Sequence, residues 1–138
     1  MARPALLLAL ALAATAAGAD DFKVVVNAEN PEVTIARTLL SRYFLKKAAR
    51  WPDGVVVEPV EPALPKVREK FAAQVHEKSV NALKAYWNQL IFAGREVPPV
   101  EKHDDAEVVA FVRQNRGAIG YVTPGAATDG VKVVTVSR

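Results

Sequence analysis

The spacing of apolar residues in the first third of the chain predicts a strand followed by an amphipathic helix. Three consecutive valines at 24–26 are typical of a strand that is buried on both faces. Apolar residues then recur every four positions over residues 35–43, which predicts a helix with one buried side. Thr34 is placed to cap its N-terminus, and Lys46 and Lys47 suit its negative C-terminal end.

The middle of the chain predicts a second strand and two helices. A second valine run at 55–57 predicts a strand, which the prolines after it should end. Pro65 suits the first turn of a helix, because its missing N–H would be unpaired there in any case. Ser79 then predicts a capped helix that ends at Gly94. Its inward face should hold the apolar residues at helical spacing: Val80, Leu83, Trp87 and Leu90.

The last third predicts one further helix and two strands. Asp104 and Glu107 have the spacing of a capping box, which predicts a helix behind them. Apolar runs at 118–122 and 131–136 predict the final strands, joined by a Gly/Pro/Asp loop. Strands that alternate with helices indicate a single layered α/β domain, with a mixed or mostly parallel sheet flanked by helices.

Residues 1–19 have the pattern of a signal peptide. Arg3 precedes a stretch of small apolar residues at 5–17, and Ala17 and Ala19 give the small-x-small cleavage pattern. The stretch is shorter than the roughly 20 residues that span a bilayer. We therefore expect cleavage after Ala19 and a periplasmic or secreted domain over residues 20–138, without a transmembrane segment. An uncleaved N-terminal anchor is the alternative.

Composition and charge narrow the possible functions. The chain has 18 Lys and Arg against 15 Asp and Glu, with the two signs interspersed. Nucleic-acid binding needs a concentrated basic face, which this pattern does not provide, although a mild preference for anionic ligands remains. The absence of cysteine excludes thiol catalysis, thiolate metal sites and lipoprotein anchoring.

No sequence motif supports catalysis or a cofactor. The chain lacks a glycine-rich phosphate loop and a Gly-x-Ser-x-Gly elbow, and its two histidines, His76 and His103, are far apart. The segment from Glu101 to Asp105 contains metal-binding residue types, but a solvated loop with a helix cap is the favoured interpretation. We therefore expect a protein that is not an enzyme and that holds no metal or cofactor.

The start of the helix at Pro65 is the best candidate for a binding site. A helix N-terminus presents unpaired N–H groups and a partial positive charge, which favour a bound oxyanion at Lys66, Val67 and Arg68. Arg68 could add a two-pronged contact to phosphate or carboxylate. Pairing of Arg68 with Glu69 or Glu61 is the alternative, and the sequence leaves both open.

Two other features are predicted to be structural. Trp51 lies between a basic helix end and a Pro-Asp-Gly turn, where a tryptophan usually closes the edge of a core. Gly117 and Gly120 are expected to permit a tight turn and close strand packing rather than the approach of a ligand.

Three segments together resemble the periplasmic phosphate-binding proteins of ABC importers. They are Phe44-Leu45-Lys46-Lys47, Arg50-Trp51-Pro52-Asp53-Gly54 and Gly117-Ala118-Ile119-Gly120-Tyr121-Val122. The resemblance implies one α/β lobe of a two-lobed, type 2 binding protein. In transport members an Arg and a Ser-Gly-Thr run hold the oxyanion. Here the similar stretch is Pro65-Lys66-Val67 ahead of Arg68, and the hydroxyls are missing.

The resemblance implies an exported, solute-binding-like protein that binds phosphate or a related oxyanion weakly if at all. The alternative is an envelope interaction or accessory protein built on a lobe that has lost its ligand. A homodimer whose second copy replaces the missing lobe would fit the solute-binding function. An envelope partner would fit the interaction function.

Overall fold

The computed structural model describes residues 21–138. The signal peptide predicted for residues 1–19 lies outside this range. No helix within residues 21–138 combines the length and apolarity needed to cross a bilayer.

Six strands and four helices make up the described chain. The strands are β1 (Lys23–Asn27), β2 (Thr34–Ala36), β3 (Glu58–Pro62), β4 (Val100–Lys102), β5 (Ala118–Val122) and β6 (Val131–Ser137). The helices are α1 (Arg37–Phe44), α2 (Pro65–Phe71), α3 (Val80–Phe92) and α4 (Asp105–Gln114). A π-helical turn, Ala72–His76, directly extends α2.

The strands form one mixed sheet in the order β2-β6-β1-β5-β3-β4. Strand β1 runs antiparallel to β5 and β6, whereas β3 is parallel to β4 and β5, and β2 is parallel to β6. This arrangement confirms the predicted α/β class and shows that the sheet is mixed rather than mostly parallel.

Helices cover both faces of the sheet, which explains the unbroken valine run. Val24 and Val26 belong to the core beneath α1 and α2, while Val25 packs with the valines of α4 on the other face. The first core is rich in aromatic rings, and the Phe71 and Tyr121 rings stack with their centroids 3.8 Å apart. A central strand that is apolar at every position is what two covered faces require.

The predicted cap of α1 is wrong. Thr34 lies in β2, and Ala36 occupies the N-cap position without a side-chain hydrogen bond. Residues 34–36 pair in parallel with Thr135–Ser137 of β6, about a hundred positions away in the sequence. The local pattern could not show this pairing, because its partner strand is so distant along the chain.

The second strand predicted at residues 55–57 is wrong, because the structure places no strand there. Val56 forms only an isolated bridge with Arg50, and the strand that joins the sheet is Glu58–Pro62. Pro59 and Pro62, which were expected to end a strand, lie within it. Residues 100–102, for which the sequence predicted no strand, form β4, which extends the sheet beside β3.

The predicted inward face of α3 is also wrong, because none of its residues is buried. Trp87 is only partly covered, and Phe92 at the C-terminal end is 96% exposed. Both predicted caps are confirmed: Ser79 Oγ accepts a hydrogen bond from Ala82 N, and Asp104 Oδ1 accepts one from Glu107 N. Local capping thus starts α3, although no core covers it.

Candidate functional site

A cleft of about 790 Å³ lies between α3 and the helical segment formed by α2 and its π-helical turn. Glu61 at the end of β3 and Tyr121 on β5 line its floor, and Arg68 projects from α2. Leu83 and Trp87 face it from α3. Its size falls within the range of roughly 300–1,000 Å³ that is typical of small-molecule sites.

The turn between α2 and α3 opens this cleft. The π-helical segment ends at Glu77, which has a left-handed backbone with φ of 54°. The chain therefore changes direction, and α3 runs beside the core instead of packing on it. A hydrogen bond of 2.8 Å from the Tyr86 hydroxyl to the Leu45 carbonyl oxygen ties α3 to the end of α1.

The Arg68 guanidinium is held between two carboxylates. Its Nη1 donates to Glu101 Oε2 at 2.8 Å, and its Nη2 lies 3.3 Å from Glu61 Oε2. Burial lowers the pKa of Arg68, but the negative charges of Glu61 and Glu101 raise it by more than burial lowers it. The net shift is therefore upward, and the group stays charged. Two carboxylates against one guanidinium leave a formal charge of −1 at this point of the cleft.

Glu61 is the less exposed carboxylate of this cluster, with 13% of its side chain exposed against 55% for Glu101. Its Oε1 accepts a hydrogen bond of 3.3 Å from the Tyr121 hydroxyl. Burial raises the pKa of Glu61, and this outweighs the opposite effects of Arg68 and Tyr121. The arrangement satisfies a carboxylate that would otherwise be costly to remove from water.

His76 and Ser41 form a second polar pair beside the cleft. Ser41 Oγ lies 2.7 Å from His76 Nδ1, and the ring is mostly buried. Burial and the nearby cation of Lys78 lower the pKa of His76 to about 4, so it is neutral at neutral pH. A base of such low pKa abstracts protons poorly near pH 7, which favours a structural role for the pair.

The structure separates the three residues predicted to hold an oxyanion. Lys66 is exposed and does not line the cleft, Val67 is 3% exposed and belongs to the core, and only Arg68 reaches the cleft. The pairing of Arg68 with Glu61, which the sequence left open, is present. A shared anion site at these three residues stays a prediction.

Two side-chain contacts in and beside the cleft could not be predicted from the sequence. Glu101 lies 33 positions from Arg68, and Ser41 lies 35 positions from His76, so spacing along the chain carried no signal for either contact. Glu61 was detectable because it lies only seven positions before Arg68, across one turn.

The segment that contains metal-binding residue types has another role in the structure. Asp104 caps α4, and Glu107 Oε2 accepts a hydrogen bond of 2.8 Å from the backbone N–H of His103. Within residues 21–138 no group of three His, Cys, Asp or Glu side chains is arranged to hold a metal ion.

The two features predicted to be structural are confirmed as such. Trp51 is buried, and its indole ring lies 4.8 Å from the Tyr43 ring between centroids. A Cβ added at Gly117 would lie 1.9 Å from the Val56 carbonyl oxygen, so a larger residue does not fit there. A Cβ at Gly120 would lie within 3 Å of side chains on α4 and β3.

Solved structures of phosphate-transport proteins are similar to this chain in fold. An ABC-type phosphate transport receptor from Vibrio cholerae aligns with a TM-score of 0.66 and 17% identity, over 85% of this chain and 46% of the receptor. The chain has the fold of one lobe of a periplasmic binding protein. PstS from Borrelia burgdorferi aligns with a TM-score of 0.56 and 12% identity, over 86% of this chain and 47% of that protein.

These similarities concern the fold alone. No protein-family model matches the sequence, and no curated protein matches it. The chain spans less than half the length of the binding proteins that it resembles. What those proteins bind therefore enters only as support for a proposal.

Proposed function

We propose that this protein is an exported, solute-binding-like lobe that captures a small ligand in the cleft between α2 and α3, and that it binds free phosphate only weakly. The observation that carries the proposal is the cleft itself, in which a charged Arg68 faces apolar side chains of α3. The fold shared with phosphate-transport receptors supports a role in solute capture.

Weak phosphate binding follows from the surroundings of Arg68. Glu61 and Glu101 already form ion pairs with the Arg68 guanidinium. Together the three groups have a formal charge of −1, which disfavours the binding of an anion. The Ser-Gly-Thr hydroxyls of the similar transport proteins are missing, and a hydrogen bond to a charged group contributes about 1.5–3 kcal/mol. In an open cleft, water also weakens each remaining charge–charge contact.

Calorimetric titration of the secreted protein with phosphate and sulfate tests this proposal. We expect phosphate dissociation constants of roughly 10⁻⁴ M or weaker, equivalent to about 5.5 kcal/mol of binding free energy. Arg68→Ala should abolish what binding there is. Lys70→Gln, which removes an exposed cation outside the cleft, is the matched control and should leave it unchanged. Submicromolar affinity, or affinity indifferent to Arg68→Ala, would contradict the proposal.

A specific observation favours a second candidate, an envelope interaction protein. The C-terminal end of α3 presents Phe92 at 96% exposure and Ile91 at 50%, and such side chains often mark contact surfaces. If this surface forms a homodimer, light scattering should give twice the monomer mass, and Phe92→Ser should restore the monomer. A monomeric wild type at about 100 µM, a hundredfold above a micromolar dissociation constant, would exclude a stable homodimer.

A further inference from the structure

One wall of the cleft carries excess negative charge. Glu61, Glu69 and Glu101 come from β3, α2 and β4, and Arg68 is the cation placed among them. The formal charge of this wall is therefore −2. Glu101 uses Oε2 for Arg68, and no side chain of residues 21–138 donates a hydrogen bond to its Oε1. A bound cation would offset the excess negative charge of this wall.

The facing wall carries positive charge. Lys78 lies two positions before α3 and Lys84 lies in its second turn, and both line the cleft. Among the described residues neither ammonium group forms an ion pair with a carboxylate. The two walls thus have opposite charge and are not joined to each other. A ligand that satisfies both needs a cationic and an anionic end.

The surface between the charges is apolar. Val80, Leu83 and Trp87 contribute it from α3, and none of the three is buried by the protein's own core. An aromatic or aliphatic group placed against Trp87 would be stabilised because its apolar surface leaves water. A tetrahedral anion would fill only a small part of a cleft of about 790 Å³.

We propose that the cleft binds a short zwitterionic peptide of two or three residues that carries an apolar side chain. Its N-terminal ammonium group faces Glu101, its C-terminal carboxylate faces Lys78 and Lys84, and the side chain packs on Trp87. This inference rests on the proposed function, since it names the ligand class of the same cleft.

Titration with three matched tripeptides tests the ligand class: Ala-Phe-Ala with free termini, its N-acetyl form and its C-terminal amide. Each blocked form loses one charge-assisted hydrogen bond to the cleft. We therefore expect each blocked form to bind at least about tenfold more weakly than the free peptide. Equal binding by all three forms, or no binding of the free peptide at about 5 mM, would overturn the inference.

Two variants locate the termini. Glu101→Gln should weaken the free peptide but not the N-acetyl form, and Lys84→Gln should weaken the free peptide but not the amide. Lys70→Gln is the control and should change none of the three. If both variants affect all three peptides equally, the assigned orientation is wrong.

A phosphate titration separates this inference from the proposed function. Weak phosphate binding that Arg68→Ala abolishes, without peptide binding, would refute the peptide and leave the solute-binding function standing. If neither phosphate nor peptide binds, the proposed function and the peptide inference are both wrong.

Discussion

The indole Nε1 of Trp51 donates a hydrogen bond of 2.9 Å to the carbonyl oxygen of Gly117, across 66 positions of the chain. The bond is buried and joins the Pro-Asp-Gly turn to the start of β5. The backbone N–H of Glu58 donates to the same carbonyl oxygen at 3.0 Å, at the beginning of β3. Two of the segments that resemble the phosphate-binding proteins are therefore in direct contact, and this contact belongs to the core rather than to the cleft.

Replacing Trp51 should strongly destabilise the protein. Trp51→Ala leaves a cavity and removes one of the two hydrogen bonds to the Gly117 carbonyl oxygen. We therefore expect a loss of about 3–5 kcal/mol in the free energy of unfolding. Trp87→Ala is the matched control: this residue is the only other tryptophan, and it lies on a helix without buried residues. Its loss should cost less than about 1 kcal/mol. Urea unfolding measures both, and equal effects would contradict the assignment of Trp51 to the core.

Gly120 should not tolerate a methyl group. A Cβ there would lie 2.8 Å from Val108 Cγ1 and 2.9 Å from Val60 Cγ1, so Gly120→Ala overpacks the interface of α4 with the sheet. We expect a loss of about 1–3 kcal/mol in urea unfolding. Gly125→Ala is the control because nothing lies within 4 Å of its added Cβ, and it should change stability by less than about 0.5 kcal/mol. If Gly120→Ala leaves the free energy of unfolding unchanged, α4 can shift to make room for the added methyl group.

The stability of the protein should depend on His76 in mildly acidic solution. Burial lowers the pKa of His76 to about 4, from 6.5 in the unfolded chain. Between pH 6.5 and about 4, the unfolded state therefore binds a proton at His76 that the folded state does not bind. The stabilisation is fully present above pH 6.5 and is lost as the pH falls toward 4. At 1.36 kcal/mol for each pH unit, the loss amounts to at most about 3 kcal/mol.

Urea unfolding between pH 7.5 and 4.5 measures this slope. His76→Gln should remove most of it, since glutamine does not titrate and can still accept a hydrogen bond from Ser41. His103→Gln is the control because His103 is exposed, and it should keep the wild-type slope. Parallel slopes for wild type and His76→Gln would show that other groups cause the pH dependence.

Removing one carboxylate from Arg68 should improve anion binding. Glu101→Gln changes the formal charge of the Glu61, Arg68 and Glu101 cluster from −1 to 0. We expect phosphate affinity to rise about threefold to tenfold, which corresponds to roughly 0.7–1.4 kcal/mol. Stability should fall by less than about 1 kcal/mol, because Glu101 lies at the surface. Unchanged phosphate affinity would place the anion away from Arg68.

The N-terminal residues predict export. We expect the protein recovered from the envelope fraction or the medium to begin at Asp20, because small residues at 17 and 19 follow the apolar stretch. Intact-mass spectrometry measures this directly. A chain that retains Met1 in the envelope fraction would support an uncleaved anchor instead.

Interactions between near neighbours in the chain could be predicted from the sequence. The valine run that forms β1, the helix caps at Ser79 and Asp104, and the pairing of Arg68 with Glu61 all join residues a few positions apart. The α/β class followed as well, because alternating strands and helices have few ways to cover each other. The segments that resemble the phosphate-binding proteins, such as the Trp51 turn, further indicated which kind of α/β lobe the chain forms.

Only the tertiary structure decided what depends on distant partners. Thr34 became part of a strand rather than a helix cap because β6 lies beside it. Residues 100–102 became a strand because β3 lies beside them. The same cause governs the cleft. Helix α3 has the periodicity of a buried helix, but the described chain provides no element to cover it, so its apolar face remains open. Periodicity shows which side of a helix is apolar, and only the surrounding fold decides what that side contacts.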